Sequence, residues 1–329
     1  MQYSIFHRHI THTLPALWMA LWMALWIAPW TSHAADLSIT KDYPLTQLSK
    51  RVWVIHGPNE EVSKANQGFR NNPVFISSSK GLIVVDPGSS VHIGEMIVNK
   101  AKTISNKPII AIFNTHGHGD HWLANHGIKN HYPKAVIYAH AKMKTRLESG
   151  DADMWLKAIE QRTEGMSTGT KAYLPEKSVN DGEVLSFGDV RIKVFYSGAG
   201  HSDHDIMLHI LEDKVFVFGD NLRNENISLF MASFNGNLAS LDVGLQSGAE
   251  IFIPGHGASG DKRIIQSYRQ FIRALKAEVK RHYEDGLSDF EMKPKIIKSL
   301  LQSKQWSGFE ENIGRLINLA YLEIEQESF

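Results

Sequence analysis

The residues at positions 115 to 121, Thr-His-Gly-His-Gly-Asp-His, bring three imidazoles and one carboxylate into six consecutive positions. Zinc and similar ions are bound in proteins by such nitrogen and oxygen ligands. His116 and His118 share one face of an extended segment and predict one metal ion. Asp120 and His121 lie on the turning chain beyond and predict a second. The glycines between them allow the backbone to turn sharply near an ion.

Three more candidate ligands, His201, Asp220 and His256, each end or follow an apolar predicted strand and each have a glycine directly before them. A single histidine or aspartate at a strand end is more often a cap or a surface group. Three such residues in the same setting favour one site that they share with the segment from 115 to 121. The alternative is a metal that only stabilises the fold, but structural zinc is usually rich in thiolate ligands, and the sequence has no cysteine.

The composition limits the chemistry further. The absence of cysteine excludes disulfides, a cysteine nucleophile and iron–sulfur clusters, so any metal is held by histidines and carboxylates. Lys plus Arg (35) equals Asp plus Glu (35), so no bulk electric field favours nucleic acid as a partner.

The first residues predict a signal peptide. Arg8 precedes an apolar stretch from Leu14 to Trp30, and small residues, Ser32 and Ala34, then stand where a signal peptidase would cleave after residue 34. We therefore expect residues 1–34 to be removed and the protein to be periplasmic or secreted, with no stable membrane insertion. An uncleaved membrane anchor is the alternative, because the apolar run approaches the length of a membrane span.

The rest of the chain alternates short β-type runs with helical ones, which predicts two packed sheets with helices outside. The stretch Arg162–Asp181 is rich in Gly, Ser, Thr and Pro and is predicted to be a long loop that forms a flap. From Lys262 onward the periodicity is helical. We expect a catalytic domain over residues 35–261 and a C-terminal helical extension over residues 262–329 that packs on it.

The order His-x-His-x-Asp-His, followed by His201, Asp220 and His256, resembles the metallo-β-lactamase superfamily. The resemblance extends from about Arg51 to His256, and Val84–Gly88 matches the early strand-end aspartate of that family. It implies an α/β fold, the αβ/βα sandwich, with the metals in a groove at one edge.

The resemblance also implies a role for each candidate residue. The first metal would be held by His116, His118 and His201, the second by Asp120, His121 and His256, and both by a bridging Asp220. Asp86 and Thr115 would orient ligands, and Asp120 would in addition orient the attacking water and move its proton. Two Zn²⁺ ions are the expected cofactors, with iron or manganese as alternatives.

Aspartate at position 220 resembles the glyoxalase II-like hydrolases, since the true β-lactamases of the superfamily have cysteine there or lack a bridge. The leader and the tail around Trp306, Gly308, Phe309 and Asn312 resemble a periplasmic branch associated with sulfur oxidation and quinoprotein systems.

The implied function is hydrolysis of a small-molecule acyl substrate, a thioester in preference, by a hydroxide that bridges the two metals. Three alternatives stay open: a one-iron oxidoreductase like the persulfide dioxygenases, β-lactam hydrolysis as a side activity, and a non-catalytic metal or sulfur-carrier binding protein. The sequence also leaves open whether the chain forms a homodimer.

Four other residues near the candidate ligands are predicted to have ordinary roles. Arg223 follows Asp220 closely enough to bind a substrate carboxylate, but it is expected to be a solvated surface residue. His140, His204 and His209 are expected to be structural.

Overall fold

A computed structural model describes residues 1–3, 37–196, 198–227 and 230–328. Residues Leu37–Phe329 form one compact unit by their internal contacts, and Met1–Asp36 is not part of it. Apart from its first three positions, the predicted signal peptide lies outside the described residues. Among those described, no helix has both the length and the apolar character needed to cross a membrane.

In the part of the chain that the structure describes, the first sheet contains seven strands: β1 Leu45–Gln47, β2 Val52–Ile55, β3 Val74–Ser77, β4 Leu82–Val85, β5 Ile109–Phe113, β6 Val136–His140 and β7 Lys177–Val179. Strands β1 to β4 pair antiparallel in chain order. Strands β4 to β7 pair parallel. Parallel neighbours end at the same edge of a sheet, so the residues after β4 and β5 meet there.

Within the described ranges, the second sheet contains five strands: β8 Val184–Ser186, β9 Arg191–Phe195, β10 Met207–Ile210, β11 Val215–Arg223 and β12 Ile251–His256. Their order across the sheet is β12-β11-β10-β9-β8. Only the pair β11 and β12 is parallel, and in this pair Arg223 lies opposite His256.

The helices of the described residues are α1 Val91–Ile104, α2 Gly119–Trp122, α3 Asn125–His131, α4 Ala141–Arg146, α5 Ala152–Arg162, α6 Phe234–Gln246, α7 Lys262–Glu284, α8 Asp289–Ser299 and α9 Phe309–Glu327. A π-helical turn, Leu147–Asp151, joins α4 to α5, and a 3-10 turn, Leu301–Ser303, follows α8.

Alternating side chains of the strands form separate cores on the two faces of each sheet. Val85 and Phe113 of the first sheet pack with Val194 and Val217 of the second in a core between the sheets. Side chains on the outer face of the first sheet pack with α1 and α3. Those on the outer face of the second sheet pack with α6 to α9. The predicted α/β sandwich is therefore confirmed.

Two segments differ from their predicted structure. The apolar pattern predicts that the strand from Val215 ends at Phe218, but β11 continues to Arg223, because its polar last residues are buried beside β12. The predicted loop Arg162–Asp181 contains β7, which adds a strand to the first sheet next to β6. Local composition does not reveal either pairing, since both depend on a neighbouring strand.

The short helix α2 carries two of the candidate ligands and leads into α3, which crosses α1 at close range. A Cβ atom added to Gly94 of α1 would lie 2.4 Å from the carbonyl oxygen of Ala124 and 2.7 Å from the Cα of Gly127. The two helices therefore touch backbone to backbone. This contact fixes the position of the chain that follows α2.

We expect Gly94→Ala to lower the free energy of unfolding by roughly 1–3 kcal/mol, because the methyl group meets backbone that cannot move aside. Urea denaturation measures this. Gly314→Ala in α9 is the matched control, because there the new Cβ would meet the flexible end of Lys293. We expect this control to leave stability unchanged or raise it by up to about 1 kcal/mol. Equal losses in both variants would contradict the close crossing.

Candidate metal centre

Asp86, the residue after β4, orients two of the candidate histidines. Its carboxylate accepts hydrogen bonds from the backbone N–H of Thr115 at 2.7 Å and from the Thr115 hydroxyl at 2.6 Å. Because that hydroxyl donates to Asp86, it accepts from Nδ1 of His116 at 3.0 Å. Asp86 also contacts Nδ1 of His121 at 3.0 Å. Nδ1 of each ring is thus held, and Nε2 of each ring is directed towards the candidate site.

The first group of candidate ligands consists of His116, His118, His201 and Asp220, whose ligand atoms all lie within 4.8 Å of one another. Oδ2 of Asp220 is 3.8 Å from Nε2 of His116 and 3.3 Å from Nε2 of His201. Nδ1 of His118 lies 2.9 Å from Nε2 of His201.

The second group consists of Asp120, His121 and His256, whose ligand atoms also lie within 4.8 Å of one another. Nε2 of His121 is 3.3 Å from Nε2 of His256, and Oδ2 of Asp120 is 3.7 and 3.5 Å from these two nitrogens. Oδ1 of Asp220 is 3.3 Å from each of them. Asp220 therefore faces the first group with one oxygen and the second group with the other.

The donor atoms fit bound cations. Nε2 of His116 and Oδ1 of Asp220 are buried and have no hydrogen-bond partner among the described residues. Nδ1 of His256 donates to the Arg70 carbonyl at 3.1 Å, which leaves its Nε2 as a lone-pair donor. Leaving such atoms unpaired in the interior costs about 1–3 kcal/mol each. A cation is the partner that imidazole lone pairs and carboxylate oxygens can share.

The electrostatics of the cluster agree with this fit. Burial lowers the pKa of His116, His118 and His201 well below the usual range, which keeps these rings neutral. Burial lowers the pKa of His256 to about 4. His121 behaves differently, because the surrounding carboxylates outweigh burial and raise its pKa well above 6.5. The carboxylates around His121 therefore favour a proton on its ring. A divalent cation bound there would replace that proton.

Arg223 is not at the surface, so its predicted solvation is wrong. The residue is 4% exposed, its Nη2 forms an ion pair with Oδ2 of Asp220, and its Nη1 donates to Asn226 at 2.6 Å. Burial alone would raise the pKa of Asp220, but Arg223 and the neighbouring histidines hold it well below the usual range. Arg223 reaches this position because β11 extends beside β12, which the sequence pattern does not indicate.

His204 supports the first ligand segment. Its Nε2 accepts a hydrogen bond from the backbone N–H of Gly117 at 3.0 Å, and its Nδ1 lies 2.7 Å from a carboxylate oxygen of Asp203. Gly117 stands between His116 and His118, so His204 holds the backbone that presents both rings. This role agrees with the structural role predicted for it.

The other two histidines predicted to be structural lie outside both ligand groups. His140 stacks on Tyr196 with ring centroids 4.0 Å apart. His209 is buried in β10 beside Phe216.

A cavity of about 290 Å³ opens beside the cluster and is lined by both Asp120 and Asp220. Trp155 and Phe230 give it an aromatic wall, and Asn312 of α9 adds a polar residue from the C-terminal helices.

Arg162, the first residue of the predicted flap Arg162–Asp181, lines this cavity. The segment after it runs to the start of α1, where Thr170 accepts a hydrogen bond from the Val91 backbone at 3.1 Å.

Residues 67–256 match the family model described as Metallo-beta-lactamase superfamily. The chain is 22% identical over 238 residues to a metallo-beta-lactamase type 2 of Bacillus sp. (strain 170), an alignment that covers 67% of this chain and 79% of the relative. It is 26% identical over 162 residues to a hydroxyacylglutathione hydrolase of Francisella philomiragia subsp. philomiragia, covering 49% of this chain and 51% of the relative.

Solved structures share the fold at low identity. A metallo-beta-lactamase from Pontibacter korlensis superimposes with a TM-score of 0.56 at 13% identity, covering 70% of this chain and 99% of that one. A sec-alkylsulfatase from Pseudomonas sp. superimposes with a TM-score of 0.66 at 13% identity, covering 85% of this chain and 50% of that one. At these identities the likeness concerns the fold alone.

We expect His204→Ala to weaken Zn²⁺ binding by about 10- to 100-fold, the range seen when a residue that orients ligands is lost. The physical reason is that the Gly117 N–H loses its acceptor, so the two adjacent imidazoles are less well positioned. Competition with a chromogenic chelator measures the affinity. His209→Ala is the control, because it removes a buried histidine outside the cluster. Unchanged affinity in His204→Ala would contradict the positioning role.

Proposed function

The chain belongs to the metallo-β-lactamase superfamily, and from this premise we propose that it is an exported hydrolase that binds two Zn²⁺ ions and cleaves an acyl substrate, preferentially a thioester. The observation that carries the proposal is the position of Asp220. Its two oxygens face two separate groups of histidines, the arrangement that a pair of adjacent metal ions requires. The matched relatives include a metallo-beta-lactamase type 2 and a hydroxyacylglutathione hydrolase.

In this proposal His116, His118 and His201 would hold the first ion, Asp120, His121 and His256 would hold the second, and Asp220 would be a ligand of both. Zinc bound there supplies Lewis acidity for the substrate carbonyl and lowers the pKa of water from 15.7 to about 7.

The chain's own residues supply the rest of the mechanism. Asp120 lines the cavity and remains ionised, because the nearby charges of His121 and Arg70 outweigh the effect of burial and lower its pKa. Its carboxylate orients the attacking water and accepts its proton as the water oxygen bonds to the acyl carbon, and it passes that proton to the thiolate sulfur when the carbon–sulfur bond breaks. Proton transfer of this kind contributes about 10²- to 10⁴-fold to the rate. Trp155 and Phe230 supply the apolar part of the cavity wall against which the substrate would pack.

Two observations favour a thioester as the substrate class. Position 220 is aspartate, which resembles the glyoxalase II-like hydrolases rather than the β-lactamases with cysteine at this position. The matched hydroxyacylglutathione hydrolases are named for a substrate that is a thioester, although the alignment spans about half of their length. β-Lactam hydrolysis is the second candidate, because the metallo-beta-lactamase relatives align over a larger share of their length, 79%.

We also propose export to the periplasm, supported by the apolar stretch and the small residues before Ala35. When the full chain is expressed in a Gram-negative host, we expect the periplasmic fraction to contain protein whose first residue is Ala35. N-terminal sequencing of that fraction is the measurement. A chain that keeps Met1 and stays with the membrane fraction would replace this proposal by a membrane anchor.

We expect the zinc-loaded mature protein to hydrolyse a panel of thioesters and Asp120→Ala to lose at least about 100-fold in kcat, because proton transfer and one ligand are removed together. Release of free thiol measures the reaction, and a chromogenic cephalosporin is assayed beside it. Cephalosporin turnover without thioester turnover would make β-lactam hydrolysis the function. Turnover of neither would favour a binding protein or iron chemistry.

Metal analysis of the same preparations distinguishes a zinc-binding protein without activity from an iron enzyme. Protein purified without added metal should contain close to two zinc ions per chain. A single iron per chain would favour the oxidoreductase alternative.

A further inference from the structure

A second cavity, here called the side pocket, opens next to the candidate metal centre and has a volume of about 420 Å³. It reaches the first ligand group, because His118 and His201 line it. Met154 is 49% exposed and Phe230 is 40% exposed, so a ligand can reach these walls from solvent. The apolar side chains that line the side pocket are Met154, Trp155, Ala158, Phe230, Met231 and Ala232.

Three aromatic rings lie at the boundary between the side pocket and the cavity that contains Asp120. The ring of His118 contacts that of Trp155 at a centroid distance of 5.0 Å and that of Phe230 at 4.8 Å. All three residues line both spaces. Within the two ligand groups, His118 is the member that is half-buried rather than buried. A substrate whose carbonyl lies beside His118 can therefore extend in two directions, one into each space.

Helix α5 gives the side pocket a wall of its own. Met154 and Ala158 are four residues apart on this helix, which places them on one face of it. Both line the side pocket, and neither lines the cavity beside Asp120. Ile159 has the opposite assignment, because it lines the cavity and not the side pocket. The helix thus presents different residues to the two parts of a substrate.

Several polar groups of the side pocket are already bonded within the protein. Nη2 of Arg146 donates to Asp203 at 2.9 Å, and the other carboxylate oxygen of Asp203 lies 2.7 Å from Nδ1 of His204. The hydroxyl of Ser202 donates to Asp205. The charged residues that line the pocket are two of each sign, Arg146, Arg162, Asp151 and Asp203. This lining favours an apolar ligand over an ion.

The leaving thiol belongs in the cavity rather than in the side pocket. In the proposed mechanism Asp120 passes a proton to the thiolate sulfur, and Asp120 lines the cavity but not the side pocket. The sulfur must therefore lie on the cavity side of His118. The acyl chain, attached to the other side of the carbonyl carbon, then extends into the side pocket. The cavity suits a polar thiol, since its other charged residues are Glu61, Arg70, Arg162, Asp220 and Arg223.

We propose that the side pocket binds an apolar acyl chain, so that the natural substrate is the thioester of an aliphatic acid with a polar thiol. This inference rests on the proposed hydrolase function and adds a substrate class to it. Ala158 determines the space for the chain, because it lines the side pocket and carries only a methyl group.

The test compares two series of thioesters on the zinc-loaded protein. In the acyl series the thiol is N-acetylcysteamine and the acyl group is acetyl, butanoyl or hexanoyl. In the thiol series the acyl group is acetyl and the thiol is ethanethiol, butanethiol or hexanethiol. From acetyl to hexanoyl, kcat/KM should rise by at least about tenfold, since each buried CH₂ group strengthens binding by about threefold to fourfold. An equal or larger rise across the thiol series would overturn the assignment of the side pocket to the acyl chain.

Ala158→Phe fills the side pocket without replacing a candidate ligand. We expect it to lower kcat/KM for the hexanoyl thioester by at least about tenfold and for the acetyl thioester by less than about threefold. Lys157→Phe is the matched control and should keep the wild-type ratio, because Lys157 is exposed on the same helix and lines neither space. A hexanoyl preference that survives in Ala158→Phe, or one that is lost in Lys157→Phe, overturns the proposal.

A second variant keeps the test valid if Ala158→Phe does not fold. Met154→Ser removes apolar surface from an exposed wall of the side pocket. We expect it to lower the hexanoyl-to-acetyl ratio of kcat/KM by about threefold or more. An unchanged ratio in this variant would contradict the apolar subsite.

A binding measurement separates this inference from the proposed function. Acetohydroxamate and hexanohydroxamate have the same metal-binding group and differ in their chains. In calorimetry on the zinc-loaded protein, hexanohydroxamate should bind at least about tenfold more tightly, and Ala158→Phe should lose that difference, whether or not a thioester is turned over. Thioester turnover with no preference between acetyl and hexanoyl would overturn the acyl subsite and leave the hydrolase intact. Equal affinities for the two hydroxamates would overturn the subsite whatever the activity.

Discussion

The buried carboxylate of Asp220, set between two groups of imidazoles, is the interaction on which the site depends. Hydrogen bonds within the protein leave the arrangement incomplete, since Nε2 of His116 and Oδ1 of Asp220 have no partner among the described residues. Lone pairs on neutral rings and carboxylates repel one another unless a cation or a proton lies between them. Neighbouring residues hold the donor atoms in place despite this cost: Asp86 through Thr115, and Arg223 directly.

The sandwich brings these groups together because both sheets place parallel strand ends at one edge. In the first sheet, β4 leads to Asp86 and β5 leads to Thr115 and the ligand segment. In the second sheet, β11 contains Asp220 and β12 ends at His256. The apolar core between the sheets keeps these two edges side by side. Ligands spread over residues 116–256 therefore converge at this edge.

The C-terminal helices complete the wall of the cavity and cover the outer face of the second sheet. Asn312 of α9 lines the cavity and donates to the carbonyl of Ile227 at 3.0 Å. Ser307, just before this helix, donates to the carbonyl of Asn59 at 3.1 Å. These contacts connect the tail with the segments that carry Arg70 and Arg223. The cavity thus combines charged and aromatic residues from distant parts of the chain.

The sequence by itself was sufficient to predict the family, the sandwich and the residues that the structure brings together in two groups. It was sufficient because the motif from His116 to His121 is local, and because His201, Asp220 and His256 each follow a glycine after an apolar run. Turn residues after apolar runs mark strand ends without knowledge of the partner strand.

Only the tertiary structure decided which other residues share the site. Arg223 is buried because β11 continues beside β12, Arg70 reaches the cavity because its neighbours bind the ends of β4 and β12, and Asn312 arrives on a helix near the end of the chain. No periodicity or motif distinguishes Arg70 or Arg223 from a solvated residue. Their environment comes from contacts between segments far apart in the chain, and such contacts depend on how the sheets and helices pack.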